Sequence, residues 1–119
     1  MGRQIGVFVL HRNGPEELEI KNMAVDEQVQ GRGLGSYMLA EVHRIAEAVG
    51  YQRIVVGTAT VGRQLGFYRK NGFRDFGMRK NFFIENYPYP IFEGEERVCD
   101  MILLVKNVQA ANNIGHERR

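Results

Sequence analysis

Cysteine occurs once in this chain, at Cys99, and tryptophan not at all. A single thiol excludes an internal disulfide and any multi-cysteine zinc site, so a reducing cytoplasm is the expected compartment. Histidine is nearly as scarce. His11, His43 and His116 lie far apart, none at a metal-ligand spacing, and no metal is expected. No apolar run approaches the ~20 residues of a membrane-spanning helix, and no charged-then-apolar start suggests a signal peptide. Charge of one sign is also lacking: the net value of +2 supplies no concentrated basic stripe of the kind nucleic acids need. Neither a membrane nor a nucleic acid is therefore an expected partner. With no internal repeat and no linker, the 119 residues read as one domain over 1–108 and a polar tail over 109–119.

What is present alternates between extended and helical patterns. "IGVFVL" (Ile5 to Leu10) is a short run rich in β-branched residues, the turn-forming "RNGPEE" follows, and "LEIKNMAV" resumes the extended pattern. The two predict an antiparallel pair. Leu34, Met38, Val42, Ile45 and Val49 then recur at steps of four and three, one stripe of an amphipathic helix that Gly50 can terminate. "RIVVG" (Arg53 to Gly57) has the continuous apolar character of a strand buried on both faces, which makes strand, helix and strand a crossover unit with parallel strands. A second helix is expected over about Val61 to Asn71, ending at Gly72. "FRDFGMRKNFF" alternates through Phe76, Met78 and Phe82, and "VCDMILLV" (Val98 to Val105) reads as the last strand, with Cys99 a small buried thiol. The expected class is α/β: a mixed, mostly antiparallel twisted sheet with a central parallel pair and helices on its faces.

Glycine is what the chain has in quantity, and Gly31, Gly33 and Gly35 are concentrated between the second strand and the first helix. Two familiar uses of such a loop fail on its residues. A triphosphatase phosphate loop needs a lysine where Gly35 runs directly into Ser36. A dinucleotide fingerprint needs glycine at Ser36 and an acid after the next strand, which ends in Gly57 and Thr58.

Gln30-Gly31-Arg32-Gly33-Leu34-Gly35 instead resembles the Gln/Arg-x-x-Gly-x-Gly/Ala signature of the GNAT superfamily of N-acetyltransferases. "EIKNMAV" is similar to that family's central strand, and "QLGFYRKNGF" (Gln64 to Phe73) to its second signature, Phe/Leu-Tyr-x-x-x-Gly-Phe. The resemblance runs from about Ile5 to Val105. It implies acetyl-coenzyme A (acetyl-CoA) as co-substrate, with Gln30, Gly31, Arg32, Gly33, Leu34, Gly35 and Ser36 around its pyrophosphate. The physical chemistry agrees, because unpaired N–H groups at a helix N-terminus form an anion site and glycine removes the Cβ atoms that would obstruct it. Arg32 or Arg69 either adds charge there or stays solvated.

The resemblance also implies that the central strand splays from its parallel neighbour, that main-chain groups of Met23 and Val25 bond pantetheine, and that an N–H near Val25 polarises the thioester carbonyl. Tyr68 stands at the family's general-acid position; on periodicity alone it is a core aromatic sharing a helix face with Val61 and Leu65. Glu19, six residues before Val25, is either a general base or a strand glutamate paired with Lys21. Two departures stand out. The family's N-terminal strand and helices do not precede the first strand here, so the chain reads as an N-terminally short member. Val61 replaces an asparagine that commonly bonds pantetheine, with Thr58 or Thr60 as candidate substitutes.

"IENYPYPIFEGEE" (Ile84 to Glu96) is long for a hairpin connection, and Pro88 and Pro90 stiffen it; either its four glutamates make a nearby cleft attractive to a cationic amine or it is a solvated surface loop. The implied activity is transfer of an acetyl group from acetyl-CoA to a primary amine of a small molecule or protein, by direct attack in a ternary complex. The alternative is a non-catalytic acyl-CoA-binding or regulatory module. An uncovered apolar edge at the first strand predicts a homodimer.

Overall fold

The computed structural model describes residues 6–26, 28 and 30–108; Ile5 and the tail 109–119 lie outside the described residues. Along the chain come β1 (Gly6–Arg12), β2 (Glu17–Val25), α1 (Leu34–Val49), β3 (Arg53–Ala59), α2 (Gln64–Lys70), β4 (Arg74–Arg79), α3 (Phe82–Asn86), β5 (Phe92–Glu93), β6 (Glu96–Arg97) and β7 (Met101–Asn107). Five strands form one mixed sheet in the order β1-β2-β3-β7-β4, with the expected parallel pair, and β5 and β6 form a separate ribbon. The chain divides into two compact units, one of residues up to Ile54 together with those from Asn107, the other Val55–Lys106.

In the first unit, β1 and β2 pair antiparallel from Gly6↔Val25 to Arg12↔Leu18. Val9 faces Asn22 but Leu10 faces Ile20, so Lys21 is an extra residue and β2 carries a bulge there. The bulge changes the phase of the strand. Leu18 and Ile20 point inward before it, whereas Met23 and Val25 are the half-buried residues after it. Helix α1 packs on β2 and buries Met38, Leu39, Val42 and Ala46. This corrects the expected stripe, since Ile45 and Val49 are exposed. Steps of four from Met38 lead to Ala46, whose methyl lets the helix come close, and Ile45 lies about 60° to one side of Val42 at 100° per residue. Gly50, at φ 102°, ends the helix as expected, its N–H and that of Tyr51 both donating to the Ala46 carbonyl.

The β1–β2 turn is tied down by hydrogen bonds. The Glu16 carbonyl accepts the N–H groups of Gln52 and Arg53, and the Glu17 carboxylate accepts from Asn13 Nδ2 at 2.8 Å and Arg53 Nε at 2.9 Å. These two donors, Asn13 first, hold the Glu17 carboxyl below its ordinary value.

The second unit is built on Val55, Val56 and Thr58 of β3, with Tyr68, Phe73, Val98, Ile102, Leu104 and Val105. Consecutive burial of Ile54, Val55 and Val56 bears out a strand covered on both faces. Helix α2 starts at Gln64 rather than Val61. It ends before Gly72, whose φ of 96° and N–H bond to the Arg69 carbonyl turn the chain into β4. Phe76 is unpaired between Asp75↔Leu104 and Gly77↔Leu103, a second bulge, and both Phe76 and Met78 are exposed. The expected alternation breaks again at Asn81, which takes φ 59° and places Phe82 at the start of α3, not in a strand. The segment from Ile84 to Glu96 is not one loop: it holds the end of α3 and the β5–β6 ribbon, turned at Gly94 (φ 63°). Strand β7 begins only at Met101, because the preceding backbone is engaged elsewhere. Val98 N–H donates to Ile91, and the Cys99 carbonyl accepts from Phe83. Cys99 is accordingly half-exposed, not buried.

Candidate active site

The end of β2 runs through a five-residue-apart hydrogen bond into the glycine loop and then into α1. Gly31 and Gly33 adopt φ 83° and 78°, left-handed values that side-chain-bearing residues rarely tolerate. A Cβ built on either would meet no protein atom within 4 Å. Their glycine character therefore serves the backbone turn and leaves open space, rather than fitting the helix against the sheet. Gly33 is the N-cap of α1 and has no side chain to cap it. Its carbonyl accepts the first helical bond from Tyr37 N–H at 3.0 Å, and no acidic residue occupies the first turn. The N-terminal N–H groups and the positive end of the helix dipole thus stand beside two glycines with open space among the described residues, a setting that suits a phosphate-bearing ligand. Leu34, Gly35 and Ser36 lie half-buried in that first turn, and Arg32 is exposed.

The bond that closes this loop was not foreseen from the sequence. Gln30 Nε2 donates to the Val25 carbonyl at 2.9 Å, while Gln28 N–H donates to Asp26 Oδ1 at 2.9 Å in an Asx turn. At Val25 the carbonyl consequently already has a donor within the protein, so the expected bond to pantetheine falls to its N–H or shares that carbonyl. The signal available in sequence was the Gln at the head of the signature, a residue with a side-chain N–H. Glu19 lies on β2 opposite His11, its carboxylate 3.5 Å from Lys21 Nζ. The bulge at Lys21 sets Glu19 on the face away from Leu18, Ile20, Met23 and Val25.

Tyr68, in the second unit, is 5% exposed and is packed edge-to-face on Phe67 and Phe73, with ring centroids 5.2 and 5.5 Å apart. Burial pushes its phenol above the ordinary value of 10.0, so the group is neutral at physiological pH. Both a packing and a proton-donating role are compatible with that setting. Arg69 is half-exposed and is paired with a carboxylate of the protein itself. Its Nε and Nη2 lie 3.0 and 2.6 Å from the two oxygens of Asp75, which are hydrogen-bonded as a fork. The Thr58 hydroxyl donates to Gln64 Oε1 at 3.2 Å, so its proton is engaged within the protein. Val61 is half-buried. Among the described residues, no group of three His, Cys, Asp or Glu side chains could hold a metal ion, and no helix is long and apolar enough to cross a membrane.

Residues 1–75 match the model of the GNAT acetyltransferase domain. An uncharacterised N-acetyltransferase of Bacillus subtilis, YvbK, is 35% identical over 100 residues, which are 83% of this chain and 64% of that protein. The chain thus spans somewhat under two thirds of that relative's length. Among solved structures, a GNAT family acetyltransferase from Elizabethkingia anophelis with acetyl-CoA bound is 42% identical with a TM-score of 0.85, over 88% of this chain and 69% of that one. A Bacillus subtilis acetyltransferase in complex with CoA is 32% identical with a TM-score of 0.85, over 90% and 71%. An IAA acetyltransferase from Bacillus cereus is 36% identical with a TM-score of 0.84, over 90% and 72%.

Proposed function

Since the chain belongs to the GNAT acetyltransferase family, we propose that it is an acetyl-CoA-dependent N-acetyltransferase carrying the acetyl group to a primary amine by direct attack in a ternary complex. The observation that carries this reading is the glycine loop: two left-handed glycines with open space beside them, at the head of a helix that no side chain caps. Residues Gln30 to Ser36 receive the pyrophosphate through main-chain N–H groups. Met23 and Val25 bond the pantetheine amides through the main chain, and the N–H near Val25 polarises the thioester carbonyl. Glu19 accepts a proton from the amine as its nitrogen bonds to the carbonyl carbon; its exposed pair with Lys21, worth ~0–1 kcal/mol, opens readily for this. As the C–S bond breaks, Tyr68 gives its phenolic proton to the departing thiolate, so one proton leaves the amine and one reaches sulfur.

The single half-exposed thiol, Cys99, accords with a cytoplasmic enzyme. A homodimer is part of the same proposal. β1 stands at the end of the strand order with Val7 and Val9 exposed, and an apolar edge of this kind favours pairing with another chain. Thiol release from acetyl-CoA across a panel of primary amines tests the activity. Release that depends on one class of amine is expected. Binding of acetyl-CoA with no release on any amine would instead support the non-catalytic acyl-CoA-binding module.

A further inference from the structure

We propose that Gln30 is a positioning residue for acetyl-CoA binding, acting through the bond from its side-chain amide to the Val25 carbonyl, and that this position requires a hydrogen-bond donor rather than a charge. The inference rests on the acetyl-CoA reading of the loop and extends it to a side chain that touches no reacting atom.

Five residues separate the last residue of β2 from the first glycine, and those described among them belong to no strand or α-helix. Two side-chain bonds organise this stretch. Asp26 Oδ1 turns the chain by accepting Gln28 N–H, and Gln30 Nε2 returns to the strand end at 2.9 Å. Gly31 and Gly33 follow at once, and glycine is the residue with the most backbone freedom to lose. The N–H groups meant for an anion therefore sit beside residues whose backbone is the least restricted by side chains. The Gln30–Val25 bond ties that stretch to a strand held in register by β1. An anchored loop binds with less ordering entropy to lose, which is the ordinary benefit of preorganisation. The bond also explains the choice of residue in the signature. Gln and Arg share a side chain that reaches back and ends in N–H donors, whereas Glu has the reach without the donor. In Gln30 the group is uncharged and is directed at a carbonyl, so attraction to phosphate is not its task.

Three variants separate donor from charge. Gln30→Met keeps length and removes the donor, Gln30→Glu sets a carboxylate against the carbonyl oxygen, and Gln30→Arg restores donors. Loss of one solvent-exposed hydrogen bond corresponds to about a two- to tenfold change in an equilibrium constant. KM for acetyl-CoA should therefore rise about that much in Gln30→Met, and further in Gln30→Glu, while kcat stays within about twofold. Gln30→Arg should stay near wild type without acquiring a steep salt dependence. Backbone 15N order parameters of Gly31 and Gly33, measured without ligand, should fall from about 0.85 toward about 0.6 in Gln30→Met and hold in Gln30→Arg. Wild-type KM in Gln30→Met, or a raised KM with unchanged order parameters, would overturn the proposal. So would a Gln30→Arg protein that binds more tightly than wild type and loses the gain in salt. If acetyl-CoA fails to bind the wild type at all, the acetyl-CoA reading falls, and the order parameters still report whether the anchor exists.

Discussion

Tyr68 shows how strongly a residue's chemistry depends on its setting. Its phenol is raised above 10.0 by burial alone, so it stays protonated at and around neutral pH. Tyr68→Phe keeps the ring that packs on Phe67 and Phe73 and removes only the hydroxyl. We expect kcat to fall ~10²–10⁴-fold with acetyl-CoA affinity unchanged, and the melting temperature nearly so. Steady-state kinetics beside a thermal-shift titration checks this; undiminished turnover would make Tyr68 a core residue only. A phenol with its folded value above its unfolded one adds stability below pH 10 and loses it as pH rises through the higher value. Glu17 has the opposite sign. Its carboxyl is depressed from 4.5 by Asn13 and Arg53, so its contribution is present above about pH 4.5 and disappears as pH falls through the lower folded value. Glu17→Gln should destabilise by about 0.5–1 kcal/mol at pH 7 and by progressively less as pH falls below 4.5, read from urea midpoints across that range.

Helix α1 is the element where stability and function pull apart. Gly35 stands second in the helix, where a residue with a side chain would propagate helix better by several tenths of a kcal/mol. Its place in the signature implies that it is retained for the ligand. Gly35→Val should therefore leave the melting temperature equal or higher while weakening acetyl-CoA binding more than about tenfold, because two methyls enter the approach to the N–H groups. Thermal-shift titration gives both numbers at once, through the unliganded midpoint and its rise with ligand. A variant that binds like wild type would show that the ligand does not need glycine at position 35. Strand β2 makes a related point. Its bulge at Lys21 turns Met23 and Val25 to the face of Leu18 and Ile20, and leaves Glu19 on the other.

For the molecule as a whole, the edge formed by β1 is the feature with the largest consequence. Val7 and Val9 are 41% and 48% exposed on the last strand of the described sheet, and their outward backbone groups suit a second strand. Covering several hundred Å² of such surface at roughly 25 cal/mol per Å² favours association. Sedimentation at micromolar concentration should give twice the 13.6 kDa chain mass, and Val9→Lys should shift the population to monomer. A monomer in the wild type that still releases CoA would show that one chain is sufficient.

The sequence alone determined the features that depend on local chemistry: the strand, helix and strand around the glycines, the termination at Gly50, the buried strand from Arg53 and the family itself. Each is a pattern within a few residues. Left-handed turns require glycine, and an anion site at a helix start requires bare N–H groups, so both leave a signature in the order of residues. Only the tertiary structure decided the two bulges, the helix that begins at Phe82, the exposure of Ile45, Val49 and Cys99, and the bonds from Arg69 to Asp75 and from Gln30 to Val25. The physical reason is that a bulge is a mismatch with a partner strand and a hydrogen bond belongs to a pair. Neither is a property of one segment, because each depends on what the folded chain brings alongside.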